Sequence, residues 1–348
     1  MMLQSGFFDL QDRYKKLSEL GDPLERLNET IPWEAFRPVL SKAHNKQRKS
    51  KAGRKPYDSL LLFKILILQS LYNLSDEQME YQIRDRLSFM RFLELRMEDK
   101  VPDATTVWLY RERLVELGLL DTLFKRFAAY LDAEGYQAKK GQIIDASIVE
   151  VPKQRNDRDE NRRIKEGEVP EDWSGAKRRQ KDVQARWTKK QGKSYYGYKN
   201  HIGIDRKNKL IRQFKVSDAS VHDSQVLDEI VDPENSGADL WADSAYRSEE
   251  TEVVLKAAGY RSQINFKGSR NKALTEWQQE CNRMRSRVRA RVEHVFGYQQ
   301  NSMGGKFVRT IGIARAGFKI GMMNLTYNLM RYLQLERIKD RRGVPAVA

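Results

Sequence analysis

The sequence predicts an all-helical front followed by an α/β layer built on a mixed sheet. Three observations predict it. Over residues 1–135 apolar side chains recur at helical spacing, as in Leu60, Leu61, Ile65, Leu68 and Leu71. Beyond Gly135 the texture changes to short β-branched runs bounded by glycine and proline. Those runs first pair locally and then alternate with helical segments, the pattern of an α/β layer.

In the front, Asp58 and Ser59 are placed to cap the helix that carries the Leu60–Leu71 stripe. Ser75, followed by Glu77 and Gln78, opens another with Met79, Ile83, Leu87 and Met90. Pro102 stops the chain and a helix restarts at Asp103, bearing Thr105, Thr106, Arg111 and Arg113. This arrangement fits a helix-turn-helix reader whose Arg111 and Arg113 touch DNA, and equally an ordinary helical bundle with solvated arginines.

In the α/β part, Gly141–Val149 reads as the first strand. Tyr198–Asp205 and Leu210–Val216 form a hairpin across the turn-like Arg206-Lys207-Asn208-Lys209. Ala238–Asp243 is a fourth strand, followed by a helical SEETEVVLKAAGY and a fifth strand over Arg261–Phe266. Trp277, Cys281, Met284, Val288, Val292 and Val295 form a stripe that predicts a long helix with an apolar core face. Residues from about 152 to 190 are nearly devoid of apolar side chains, so an exposed, mobile basic excursion is expected there, a flap over bound polyanion or a passive solvated loop. The expected domains are residues 1–135 and 136–340.

Composition bounds the function. The 348 residues carry 64 Lys+Arg against 48 Asp+Glu, a formal net charge of +16. That surplus favours a polyanionic partner, nucleic acid before membrane. It is uneven: residues 1–150 hold 24 basic and 23 acidic side chains, 151–200 hold 15 and 8, 201–250 hold 6 and 11, and 251–348 hold 19 and 6. An acidic island inside a basic chain suggests carboxylates that hold cations beside bound polyanion. The most apolar stretch, Ser59–Tyr72, contains Lys64 and Gln69 and is too short to span a bilayer. MMLQSGFFDLQDRY shows no leader pattern. One cysteine, Cys281, forms no internal disulfide, which fits a reducing cytoplasm.

Two aspartates sit on apolar elements, Asp145 on the first strand and Asp243 at the end of the fourth. A carboxylate there costs desolvation energy unless a cation compensates, although each could instead cap the following segment. Glu293 falls off the apolar stripe of the long helix, on the face of Arg289 one turn earlier. Together they form a hard, all-oxygen set suited to Mg²⁺, with Mn²⁺ able to substitute. The histidines 44, 201, 222 and 294 are scattered, and no phosphate loop or nucleophile elbow occurs. Arg283, Arg285, Arg287, Arg289 and Arg291, with Lys189, Lys190 and Lys193, are candidate phosphate contacts, and Tyr246 is a candidate for stacking on DNA bases, the alternative for such an aromatic being packing on the sheet.

At these residues the chain resembles the bacterial DDE transposases of the insertion-sequence-five type. The resemblance lies in IIDAS, ARWTKKQGKSYYGYKNHIGID, VSDASVHDS, ADSAYRS and RARVEHVFG, and in the front string RKPYDSLLLFKILILQSLYNLSDEQ. It implies a ribonuclease-H-like mixed sheet flanked by helices and a catalytic triad of Asp145, Asp243 and Glu293. It also implies cleavage at the element's terminal inverted repeats, joining to target DNA through two metal ions, a homodimer on double-stranded DNA, and a place in the bacterial cytoplasm at the nucleoid, away from membranes. Ser286 and Gln300 stand where the wider superfamily has a tyrosine and a lysine; Lys306 and Arg309 are then the alternative phosphate contacts. A DNA-binding regulator without catalysis and a stand-alone metal-dependent nuclease are the competing readings.

Overall fold

The computed structural model describes residues 9–44, 55–269 and 272–342. The expectation of no leader falls largely on residues 1–8, outside the described residues. The chain divides into two compact units, residues 1–130 with 328–348, and residues 131–327. The chain end thus groups with the helical front, where Tyr332 packs edge-on against Phe127 and Tyr130.

The first unit contains α1 (Asp9–Glu19), α2 (Pro23–Thr30), α3 (Arg37–Leu40), α4 (Ser59–Tyr72), α5 (Asp76–Asp85), α6 (Leu87–Phe92), α7 (Ala104–Glu116) and most of α8 (Leu119–Ala133). The expected caps are in place. Asp58 accepts from the Leu60 amide at 2.9 Å, Ser75 and Gln78 form a capping box, and Asp103 accepts from Thr106 at 2.6 Å. Asn73 ends α4 in the left-handed conformation, which asparagine tolerates. Helix α4 is buried from Ser59 to Leu60 and from Leu62 to Gln69, so it is a central helix rather than an amphipathic one. Its buried Lys64 is satisfied by Asn28 Oδ1 at 2.8 Å and Glu94 Oε1 at 2.6 Å, and it lies over the rings of Trp33 and Phe92. Arg111 on α7 grips Asp76 at the start of α5 through two bonds of 2.8 and 2.7 Å, and Arg113 pairs with Glu116. Both expected DNA contacts on α7 are therefore engaged inside the unit.

The second unit is a mixed sheet with helices. Its strands are β1 (Gln142–Glu150), β2 (Arg186–Lys190), β3 (Lys193–Asp205), β4 (Ile211–Asp218), β5 (Asp239–Trp241) and β6 (Arg261–Ser262). β3 runs antiparallel to β1, β2 and β4, while β1, β5 and β6 run parallel to one another. The antiparallel β4, β3 and β1, continued by the parallel β5 and β6, give the ribonuclease-H-like sheet, and β2 is added to it along the first part of β3. β2 and the start of β3 escaped the sequence reading. They meet at Gln191-Gly192, both at positive φ, a two-residue turn whose twist suits a hairpin. The sheet is flanked by α11 (Leu227–Ile230) and α12 (Glu249–Ala257), by α13 (Glu276–Gly297), and by the part of α14 (Ile313–Arg341) that belongs to this unit, residues 313–327; α9 and α10 lie in the inserted segment described next.

The basic segment between β1 and β2 is folded, contrary to expectation. It forms α9 (Arg158–Lys165) and α10 (Gly175–Gln180) around buried Trp173 and Ile164. The Trp173 indole donates to Glu160 Oε1 at 2.6 Å, Lys177 also bonds Glu160, and the Lys177 ammonium lies over the Trp173 ring. One large aromatic with a satisfied donor gives so polar a segment its own small core. The segment is closed by Asp182, itself buried, which accepts from the Tyr198 hydroxyl and from the amides of Gln184, Ala185 and Gly312.

A layer of buried polar side chains runs under the sheet. Asn200 and Asn324 exchange amide bonds of 2.9 and 3.0 Å, and Gln299 donates to Asn324 at 2.8 Å. His201, the next residue along β3, is fully buried on the opposite face of the sheet; its Nε2 lies 2.8 Å from Ser217 Oγ and its Nδ1 has no partner. Burial pushes its pKa down to about 4. Because the folded value lies below the unfolded one, the stability that depends on neutral His201 is present above about pH 6.5 and is lost as pH falls through 4. That loss amounts to about 3 kcal/mol. Denaturant midpoints measured from pH 7 to 4 should show this slope in the wild type and lack it in His201→Gln; identical slopes would refute the assignment.

Candidate active site

Asp145 lies in the middle of β1, where the pleat turns it away from the face of Ile144. Ile144 is packed into a core with Leu240, Ala242, Tyr246 and Leu255. On Asp145's own face Val149 joins a second core with Tyr198, Ala316 and Ile320 of α14. Asp243 follows β5, which pairs in parallel with β1 through Gln142↔Leu240 and Ile143↔Trp241. The register therefore sets Asp145, midway along β1, beside Asp243 at the carboxyl end of the shorter parallel strand β5, where α/β sheets place their sites. Asp243 also accepts from the Ala245 amide as the cap of the short turn Ser244–Tyr246. Capping and site membership are both realised by one side chain.

Helix α13 crosses this end of the sheet, held by a stripe of polar residues at helical spacing. The Asn282 side chain bonds both the amide and the carbonyl of Phe266, at 2.7 and 3.0 Å. Arg285 donates to the Ile264 carbonyl at 2.6 Å and lies over the Phe266 ring. Arg289 reaches Asp145 Oδ2 at 3.2 Å and Asp243 Oδ2 at 4.0 Å. Within the π-helical turn over Tyr298–Ser302 that follows α13, Gln300 donates to Ser147 Oγ at 2.7 Å, two residues along the strand from Asp145. Sequence reasoning missed Asn282 and the Ser147–Gln300 bond. Their signal was this second, polar stripe running beside the apolar one.

The apolar stripe is a core face only at its end. Val292 and Val295 are buried, whereas Trp277 and Met284 are 67% and 56% exposed. Among the described residues the first turns of α13 meet mainly the 264–266 segment, where the Phe266 ring packs against Trp277 at 5.5 Å, and the rest of this face is open to solvent. Glu293 is exposed one turn beyond Arg289. The alternating arginines divide by helical geometry. Arg283 and Arg287 are exposed, Arg285 points at the sheet edge, and Arg291 donates to the Arg206 carbonyl at 2.6 Å. Arg285 and Arg291 thus serve the fold rather than a surface. Lys189, Lys190 and Lys193 stand exposed on the β2–β3 hairpin, and Lys190 is among the charges felt by Asp145. Lys306 and Arg309 are exposed beside the end of β1, where Glu150 bridges Phe307. Tyr246 is fully buried beneath the aspartates, so its ring is part of the core and not the expected DNA contact.

Burial pushes the Asp145 carboxyl pKa up, partly offset by the Arg289 guanidinium and by the Ala146 amide, which donates at 2.8 Å. Asp145 is 18% exposed and Asp243 40%. Two carboxylates converge on one cationic side chain.

Residues 136–329 match the family described as "Transposase DDE domain", more than half of the chain. The chain belongs to the DDE transposase family. Residues 11–113 match a second family, "Transposase domain (DUF772)". Among solved structures the transposase is similar to a piggyBac transposase in a cryo-EM structure of its synaptic complex with hairpin DNA, with a TM-score of 0.47 and 12% identity over 96% of this chain and 79% of that one. A DDE transposase is an enzyme of DNA cleavage and strand transfer that works with divalent metal ions. The donor set of this transposase suits such an ion in part. Asp145 and Asp243 are hard oxygen donors that already share one cation. Among the described residues, however, no three acidic, histidine or cysteine side chains stand together closely enough to hold a metal. Glu293, the third expected ligand, stays outside the pair. No described helix is long and apolar enough to cross a membrane.

Proposed function

We propose that this is the transposase of an insertion-sequence-five-type element. It cuts phosphodiester bonds at the element's terminal inverted repeats and joins the freed 3′-hydroxyl to target DNA. The observation that carries this reading is the convergence of Asp145 and Asp243 on a single guanidinium at one end of the sheet. Divalent ions, Mg²⁺ or Mn²⁺, would supply activation of the attacking oxygen and stabilisation of the leaving one in an in-line displacement. Asp145 and Asp243 would hold them, joined by Glu293 once that side chain turns inward.

The chain's own residues do the positioning. Asn282–Phe266 ties α13 to the segment after β6, and Gln300–Ser147 ties the turn that follows α13 to β1, so that the Glu293 turn cannot slide along the strand. The exposed Arg283, Arg287, Lys189, Lys190 and Lys193 hold phosphates on either side, with Lys306 and Arg309 beside the end of β1. The helical front, residues 1–135, reads the ends or holds the homodimer that brings two ends together. The enzyme works on double-stranded DNA at the bacterial nucleoid in the cytoplasm.

The test is incubation of the purified chain with DNA bearing the inverted repeats that flank its gene. Cleaved and joined products are expected in Mg²⁺ and none in EDTA. Specific binding of the ends with no cleavage in either would replace this reading by that of a regulator. Cutting without end preference or joining would replace it by that of a nuclease.

A further inference from the structure

The place between the two aspartates is filled by a side chain of the same unit. Arg289 Nη2 lies 3.2 Å from Asp145 Oδ2 and 4.0 Å from Asp243 Oδ2, with the side chain 17% exposed. One nitrogen is shared between two carboxylates, unlike the paired bonds of 2.8 and 2.7 Å that Arg111 makes to Asp76. The Arg289 Nε is buried with no hydrogen-bond partner. Its inward-facing neighbours are tied to backbone carbonyls, Arg285 to Ile264 and Arg291 to Arg206. Arg289 instead bonds a carboxylate, through a loose contact with an unmet donor.

We propose that Arg289 is a built-in stand-in for the divalent cation. It holds Asp145 and Asp243 together in the cation-free chain and must swing off them before they can coordinate an ion. The inference rests on the reading of those aspartates as ligands. A single positive charge only half-neutralises two carboxylates, so the pair retains affinity for a doubly charged ion. The third carboxylate, Glu293, sits one turn away on the same helix and is exposed. Departure of Arg289 clears the space into which Glu293 can turn, which accounts for a three-carboxylate set that is incomplete with Arg289 in place. The released guanidinium keeps its planar fork of donors at the mouth of the site, matched to a phosphodiester oxygen pair. Ion uptake and phosphate capture thereby become one event, and the aspartates are not left uncompensated before DNA arrives.

The test is Mn²⁺ binding to the full chain without DNA, followed by electron paramagnetic resonance and by calorimetry. Arg289→Gln is expected to bind Mn²⁺ about tenfold more tightly than wild type, since a competing charge at 3.2 Å is removed. Arg287→Gln removes the same charge from an exposed position two residues away and should change the affinity less than about twofold. Mn²⁺ should also raise the melting temperature more in Arg289→Gln than in wild type, which shows that the variant is folded and ligated. Arg289→Lys, which keeps the charge but lacks the fork, should fall between the two. Equal or weaker Mn²⁺ binding by Arg289→Gln overturns the proposal, as does an equal gain in Arg287→Gln. Absence of Mn²⁺ binding in every form, Asp145→Asn included, would sink the reading of the aspartates as ligands and this inference with it.

Discussion

Asp145→Asn is expected to reduce DNA cleavage and joining by on the order of 10³-fold or more while leaving the melting temperature unchanged or slightly higher. The two halves of this expectation have one cause. Burial raises the pKa of the Asp145 carboxyl despite the Arg289 guanidinium beside it. A folded value above the unfolded one means that the favourable contribution is complete only below the unfolded pKa and is lost as pH rises through the folded one. At neutral pH the ionised group is therefore carried at a cost to stability. Asparagine keeps the volume and one acceptor oxygen, enough for the Ala146 amide though not for Arg289 as well, and removes the buried charge. Joining assays on end-bearing DNA, paired with thermal melts, check both halves. An Asp145→Asn protein that joins DNA at the wild-type rate would sink the catalytic assignment. One that melts far below wild type would show that the carboxylate is there to hold the fold.

Asp182→Ala should have the opposite profile, a large loss of stability from a residue that takes no part in the chemistry. Its buried carboxylate accepts from the Tyr198 hydroxyl through both oxygens, at 2.9 and 2.7 Å, and from the backbone amides of Gln184, Ala185 and Gly312. Tyr198 is fully buried, so its hydroxyl has no water to turn to. Removing the acceptor strands several buried donors at once and is expected to cost about 3–5 kcal/mol. For a unit of this size that corresponds to a fall in melting temperature of roughly 10 °C. Because Asp182 joins the segment after α10 to β3 and to the start of α14, protease cleavage within residues 152–185 should accelerate together with global unfolding. A melting temperature within about 2 °C of wild type would show that the hub is redundant.

Much of this was legible in the sequence for local reasons. Capping at Asp58, Ser75 and Asp103 depends on atoms two or three residues away, and all three bonds are present. Placement of Asp145 on a strand and Asp243 at a strand end followed from β-branched runs and their boundaries, and the parallel pairing of β1 with β5 brings those positions together. The segment after β1 was misread because apolar content is a poor guide when one tryptophan suffices. Trp173 builds a core there with a carboxylate and two lysines, a combination that composition counts as polar. The helix α13 was found, but two of the six residues of its apolar stripe, Trp277 and Met284, face solvent. A hydrophobic period reports a face, not the presence of a partner for it.

The sequence by itself determined the order and kind of most elements outside residues 152–195, the sign of the charge along the chain, and the candidacy of Asp145, Asp243 and Glu293. These rest on spacing within a turn, a strand or a pleat, where neighbours in sequence are neighbours in space. Only the tertiary structure decided which charges are free. Seven of the candidate basic residues follow one another on α13 or on α7, yet Arg111 belongs to Asp76, Arg285 to Ile264, Arg291 to Arg206, and Arg289 to an aspartate 144 positions away. Tyr246 likewise went to the core although its motif sits at the site. A side chain's own element fixes the direction in which it points, but the atom that meets it there comes from a distant part of the chain, and the energy of a buried charge is set by that atom.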